Sequence, residues 1–132
     1  MSLHNLIAHT LFGSAGTTVG AGLTLTGPTI DLQHVERVES LQLRVSSAAG
    51  TAAVRVEYQT SPDGTNWDEE DDNPDITAST LLAKAGNPEG WNAYPIPAPI
   101  ARYMRILIDE ISAAALADTL VEGRLLCRER LG

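Results

Sequence analysis

The densest cluster of reactive groups in the sequence is Asp68-Glu-Glu-Asp-Asp-Asn-Pro-Asp75, which places six carboxylates within eight residues. Clustered hard oxygen ligands suit calcium, so Asp68, Asp71, Asp72 and Asp75 are the candidate ligands of a divalent cation. The spacing does not match a known calcium loop. A window starting at Asp63 puts Asp68 where an EF-hand needs glycine, and one starting at Asp68 puts Asn73 there. Packed like charges also repel one another and favour solvation, so the alternative reading is a wet acidic connection.

Other chemistry is poorly represented. His4, His9 and His34 are too dispersed for a zinc motif. No Gly-x-Ser-x-Gly elbow anchors a Ser/His/Asp triad. Gly13, Gly16, Gly20 and Gly22 are not followed by the Gly-Lys-Ser/Thr of a phosphate loop and read as turn positions. The single cysteine, Cys127, excludes an internal disulfide and reads as a small core residue. No catalytic residue is expected, and no cofactor beyond the cation considered above.

Aromatic rings offer a different kind of site. Trp67, Trp91 and Tyr103 are candidate contacts for a ligand or partner. Trp67 and Trp91 suit a platform that stacks against sugar rings. Alternatively each indole closes one end of a small core, with its N–H on a carbonyl.

Whatever these side chains do, strands must position them. Leu41-Gln-Leu-Arg-Val45 and Ala53-Val-Arg-Val-Glu-Tyr-Gln-Thr60 alternate apolar and polar residues with a period of two. With a small, flexible link between them, the two segments read as a hairpin. Ile100 to Ile108 turns Met104, Ile106 and Ile108 inward, and Thr119 to Arg128 does the same with Val121, Leu125 and Cys127. Apolar residues on the opposite faces of these late strands predict that something covers both sides. Weaker strands fall at Leu6 to Phe12, Gly22 to Leu25, Thr29 to Leu32, Ile76 to Ala83 and Trp91 to Ile96, each bounded by turn residues. Ile111 to Ala117 has helical propensity but is too short to be stable alone, and reads as a loop or single turn.

The expected fold is therefore all-β, an antiparallel β-sandwich or jelly roll of about eight strands with an extended N-terminal arm. Its 132 residues suit a single domain. Residues 1–27 form the arm and first weak strands, and residues 28–132 form the sandwich. Seventeen acids against nine Lys and Arg give a net charge of −8, which opposes non-specific attraction to nucleic acid and anionic membrane. No run approaches the roughly 18 apolar residues of a membrane helix. Met1 to Asn5 does not read as a secretion signal.

Tyr58-Gln-Thr-Ser-Pro-Asp-Gly-Thr-Asn-Trp67 describes a strand, a tight Pro-Asp-Gly turn and the start of a return. It resembles a hairpin of small virion proteins of tailed bacteriophages and prophage-like particles. Pro99-Ile-Ala-Arg-Tyr-Met-Arg-Ile-Leu-Ile108 is similar to a late strand of the same proteins, and the likeness extends over residues 28 to 128. Ser-Pro-Asp-Gly turns also occur in carbohydrate-binding and adhesion domains. The resemblance implies a non-enzymatic structural subunit made in the host cytoplasm and carried on the virion surface. That subunit would be a capsid decoration or auxiliary protein binding the major capsid protein, as a homo-oligomer such as a trimer. The alternatives are a carbohydrate-binding or adhesion module and a tail-associated subunit.

Overall fold

The computed structural model describes residues 4–20, 22–47, 53–69, 73, 76, 81–82, 84–85, 91–96, 101–111 and 119–130. Among the described residues ten strands follow one another: β1 (His4–Val19), β2 (Thr24–Thr26), β3 (Ile30–Asp31), β4 (Val35–Ser47), β5 (Ala53–Ser61), β6 (Leu81–Leu82), β7 (Lys84–Ala85), β8 (Asn92–Tyr94), β9 (Tyr103–Glu110) and β10 (Thr119–Arg130). They form two sheets of five. Sheet A runs β1-β10-β4-β7 with β8 also on β4, and sheet B runs β2-β9-β5-β6 with β3 also on β9. Every pairing is antiparallel except the two-residue contact of β4 with β7. The fold is an all-β sandwich, as the alternation predicts.

The period-two pattern assigns the buried faces correctly. Leu41, Leu43 and Val45 of β4 and Val121, Leu125 and Cys127 of β10 point from sheet A into the core. Val54, Val56 and Tyr58 of β5 and Met104, Ile106 and Ile108 of β9 meet them from sheet B. Burial of these aliphatic groups is the main force holding the two layers together. At the centre, Gly123 makes room for Phe12. A Cβ at that position would stand 2.9 Å from both Leu43 Cδ2 and Phe12 Cδ2.

One expectation changes. The segments around Leu41 to Val45 and Ala53 to Thr60 are not a hairpin, because β4 pairs with β10, β8 and β7 while β5 pairs with β9 and β6. The chain crosses from one sheet to the other between them. Alternation specifies which face is buried, and two strands facing each other across a core satisfy it as well as two lying side by side. The N-terminal segment, in turn, is mostly one long strand. β1 follows β10 from His4↔Arg130 to Val19↔Thr119, with register shifts between Thr10, Phe12 and Thr17.

Coverage of the late strands is also uneven. β9 is buried on both faces over its second half, where Leu107 and Asp109 shield the outer side, while Tyr103 and Arg105 are half-buried. β10 instead keeps a half-exposed outer face, where Leu120 is 41% exposed. The helical candidate at 111–117 falls mainly outside the described residues.

Candidate functional site

The hairpin after β5 is organised by its own side chains. Gly64 takes φ 78°, a conformation that favours glycine, and its N–H donates to Ser61 Oγ at 2.9 Å. Asp63 Oδ1 accepts from the N–H groups of Thr65 and Asn66, each at 2.8 Å, and its Oδ2 accepts from Asn66 Nδ2 at 2.7 Å. These donors hold the Asp63 carboxyl well below the usual carboxylate range, the backbone N–H of Asn66 having the largest effect. The return is closed by Asp68, whose Oδ1 accepts from Thr60 N–H at 2.8 Å. Its Oδ2 accepts from Thr60 Oγ1 at 3.1 Å and Asn73 Nδ2 at 2.9 Å. Asp68 is thus engaged in closing the hairpin. The other candidate cation ligands, Asp71, Asp72 and Asp75, lie outside the described residues.

Above this hairpin, on the outer face of sheet B, the half-buried Trp67 lies against Arg105, whose guanidinium carbon is 4.2 Å from the ring centroid. Arg105 Nε donates to Gln59 Oε1 at 2.8 Å, and Gln59 Nε2 donates back to the Asp68 carbonyl at 2.8 Å. Tyr103 belongs to the same region. It pairs with Ser61 across the sheet, packs over Gly64 and has Arg102 at 5.0 Å from its ring.

Trp91 is on the other sheet. It stands immediately before β8 and is 37% exposed. Its ring lies over Arg124 at 4.3 Å, with Arg44 at 5.7 Å. Both arginines rise from the outer face of sheet A. Arg124 Nε donates to Gln42 Oε1 on the neighbouring strand, and Arg44 makes a long ion pair with Glu122 at 3.9 Å. Beside the indole is a shallow pocket of about 130 Å³ lined by Thr10, Phe12, Trp91, Glu122, Gly123 and Arg124. A larger cleft of about 270 Å³, lined by Gln33, His34, Val35, Glu36 and Arg130, has no tryptophan, tyrosine or phenylalanine on its wall.

The structure therefore joins Trp67 with Tyr103 and separates both from Trp91. No platform spans the two tryptophans, because each stacks on an arginine of its own sheet. Neither Arg124 nor Gln42 stands out in the sequence as a site residue. Only the β4–β10 register, which sets Arg124 opposite Gln42, brings them together. What the Trp91 face offers chemically is a flat apolar ring surrounded by guanidinium, amide, hydroxyl and carboxylate groups.

Among the described residues no three His, Cys, Asp or Glu side chains converge as a metal site. Burial, followed by the nearby Glu129, pushes the Cys127 thiol up to about 11, so it is protonated and shielded at neutral pH.

These features define a two-sheet antiparallel sandwich with an aromatic-centred patch on one outer face. Comparison with known proteins finds no matching family model and no matching curated protein. Among solved structures the chain is similar to a family two carbohydrate esterase from Cellvibrio japonicus, with a TM-score of 0.50 and 13% identity. The likeness covers 98% of this chain and 35% of that one, and it is a likeness of fold.

Proposed function

We propose that this chain is a non-catalytic recognition module that binds carbohydrate on the outer face of sheet A, with Trp91 as the stacking surface. The observation that carries the proposal is the exposed indole laid over Arg124, beside a shallow pocket with Thr10 and Glu122 on its wall. A sugar ring has apolar C–H faces and a hydroxyl rim. A planar ring on a rigid sheet receives the face, while nearby amide, hydroxyl and charged groups orient the rim. The fold shared with part of a carbohydrate esterase supports this choice of ligand class. Binding rather than turnover is favoured because Asp63 and Asp68 are spent on the hairpin and the Cys127 thiol is buried.

A glycan array followed by amide and indole NMR titration tests the proposal. The Trp91 indole N–H and the amides of Thr10, Gln42 and Glu122 should shift on binding, while the Trp67 indole stays in place. If no glycan in a broad array perturbs Trp91, the reading fails.

The second reading is a structural subunit of a phage-like particle, on the virion surface and in contact with the capsid or tail. Its support is the Ser61-Pro-Asp-Gly-Thr-Asn-Trp67 hairpin that resembles those proteins, together with Leu6 and Leu120 exposed on sheet A. Co-sedimentation with assembled particles is the expected result under that reading, and the protein remaining in the supernatant counts against it.

A further inference from the structure

Strand β1 lies at the margin of sheet A and is bonded along one side to β10. Among the described residues no strand pairs with its other side. Such an edge presents a row of backbone donors and acceptors, and proteins that stay monomeric usually protect it with lysine, proline or an inward charge. Here lysine and proline are missing, and the register shifts come only after Thr10. His4–Val19 contains no Asp, Glu, Lys, Arg or Pro, although the chain as a whole carries 17 acids and nine Lys and Arg. The register shift after Thr10 limits the regular part of the edge to His4 through Thr10.

We propose that two copies of this chain pair through the free edge of β1, antiparallel about a two-fold axis at Ile7, so that sheet A continues from one copy into the other. The residue order argues for a second copy as the occupant. With Ile7 on the axis, Leu6 of each copy lies across from Ala8 of the other, and Asn5 lies across from His9. The two Ile7 residues meet each other. Apolar side chains face apolar ones and polar face polar. Moving the axis to Leu6 sets Ile7 against Asn5, and moving it to Ala8 sets Ile7 against His9. Only the central register is self-complementary, as an isologous contact requires.

Charge points the same way. Two copies of a protein with net charge −8 repel each other over most approaches, and this edge lets backbones meet with no acid on either side. Leu6 is 53% exposed and Ile7 is half-buried, so the pairing also covers apolar surface that β10 leaves open. The assembly is two-fold, not the trimer suggested by resemblance to virion proteins.

Sedimentation equilibrium on the full chain tests this. The wild-type protein should be a dimer. The double variant Leu6→Lys with Ala8→Lys puts lysine across from lysine twice, and association should weaken by at least about tenfold. Both positions are exposed, so its circular-dichroism melt should match the wild type. Leu6→Lys with Ala8→Glu instead sets Lys across from Glu in the Ile7 register, and should restore the dimer. A monomeric wild type overturns the proposal, as does a dimer unaffected by the two lysines. A Lys/Glu variant that stays monomeric overturns the register.

Discussion

The two tryptophans stand in the same three-residue arrangement and have different surroundings. Trp67 stacks on Arg105, which is bonded to Gln59 on the neighbouring strand of sheet B. Trp91 stacks on Arg124, bonded to Gln42 on the neighbouring strand of sheet A. In both, a cross-strand glutamine fixes the guanidinium and the guanidinium fixes the indole. The difference lies in what surrounds the stack. Gln59 also donates to the Asp68 carbonyl, so the Trp67 stack is part of the hairpin closure. Trp91 is more open and borders a pocket. One motif thus serves structure where the chain folds back over it, and is left for recognition where it does not.

Substitutions separate these roles. The largest effect is expected at Trp67→Ala, which removes a half-buried ring and exposes the Gln59–Asp68 closure to water. It should cost about 2 kcal/mol in a denaturant melt. A cost as small as that of an exposed residue would remove the contrast between the two stacks. Gly64→Ala comes next. Its φ of 78° disfavours any Cβ, and that Cβ would sit 3.5 Å from the Tyr103 ring. A loss of about 1.5 kcal/mol is expected from the same measurement.

Acid should act on the same hairpin. The Asp63 carboxyl has a folded pKa below its ordinary value, so the stabilisation is present above the unfolded pKa. It is lost as pH falls through the folded value. Melting temperature measured from neutral to strongly acidic pH should therefore fall more for the wild type than for Asp63→Asn, which has already lost the charge. Parallel curves would show that the turn does not depend on ionised Asp63.

What could be read in the sequence follows from which physical signals are local. Leu41, Val56, Ile106 and Leu125 lie in the core because alternation marks a buried face independently of the partner strand. The Pro62-Asp63-Gly64 turn was equally legible, since its φ requirement and side-chain caps lie within a few residues. Pairing was not legible, because β4 and β5 are neighbours in sequence and opposite one another in space. β1 was only partly so. Residues 13–16 are small and do not alternate, and the register with β10 breaks between Phe12 and Thr17, so the pattern gives no sign that the strand resumes beyond them. The Trp91 patch was missed as a unit because its ring, its arginine and its glutamine come from three distant segments. Trp91 was visible as a single aromatic residue, but Arg124 and Gln42 looked like ordinary outward polar positions.

The smallest expected change in stability is the one that tests function. Trp91→Ala removes an exposed ring and one cation–π contact, which should cost about 0.5 kcal/mol and leave the melt nearly unchanged. Carbohydrate affinity should fall by at least about tenfold, because a central aromatic commonly dominates a small recognition patch. Arg124→Gln gives a graded control. It frees the indole from its underlying guanidinium while leaving the ring in place, so affinity should fall less than with Trp91→Ala. If both variants bind glycan as the wild type does, sheet A is not the binding face. If Trp91→Ala unfolds the domain as readily as Trp67→Ala, the two stacks share one structural role and exposure does not distinguish them.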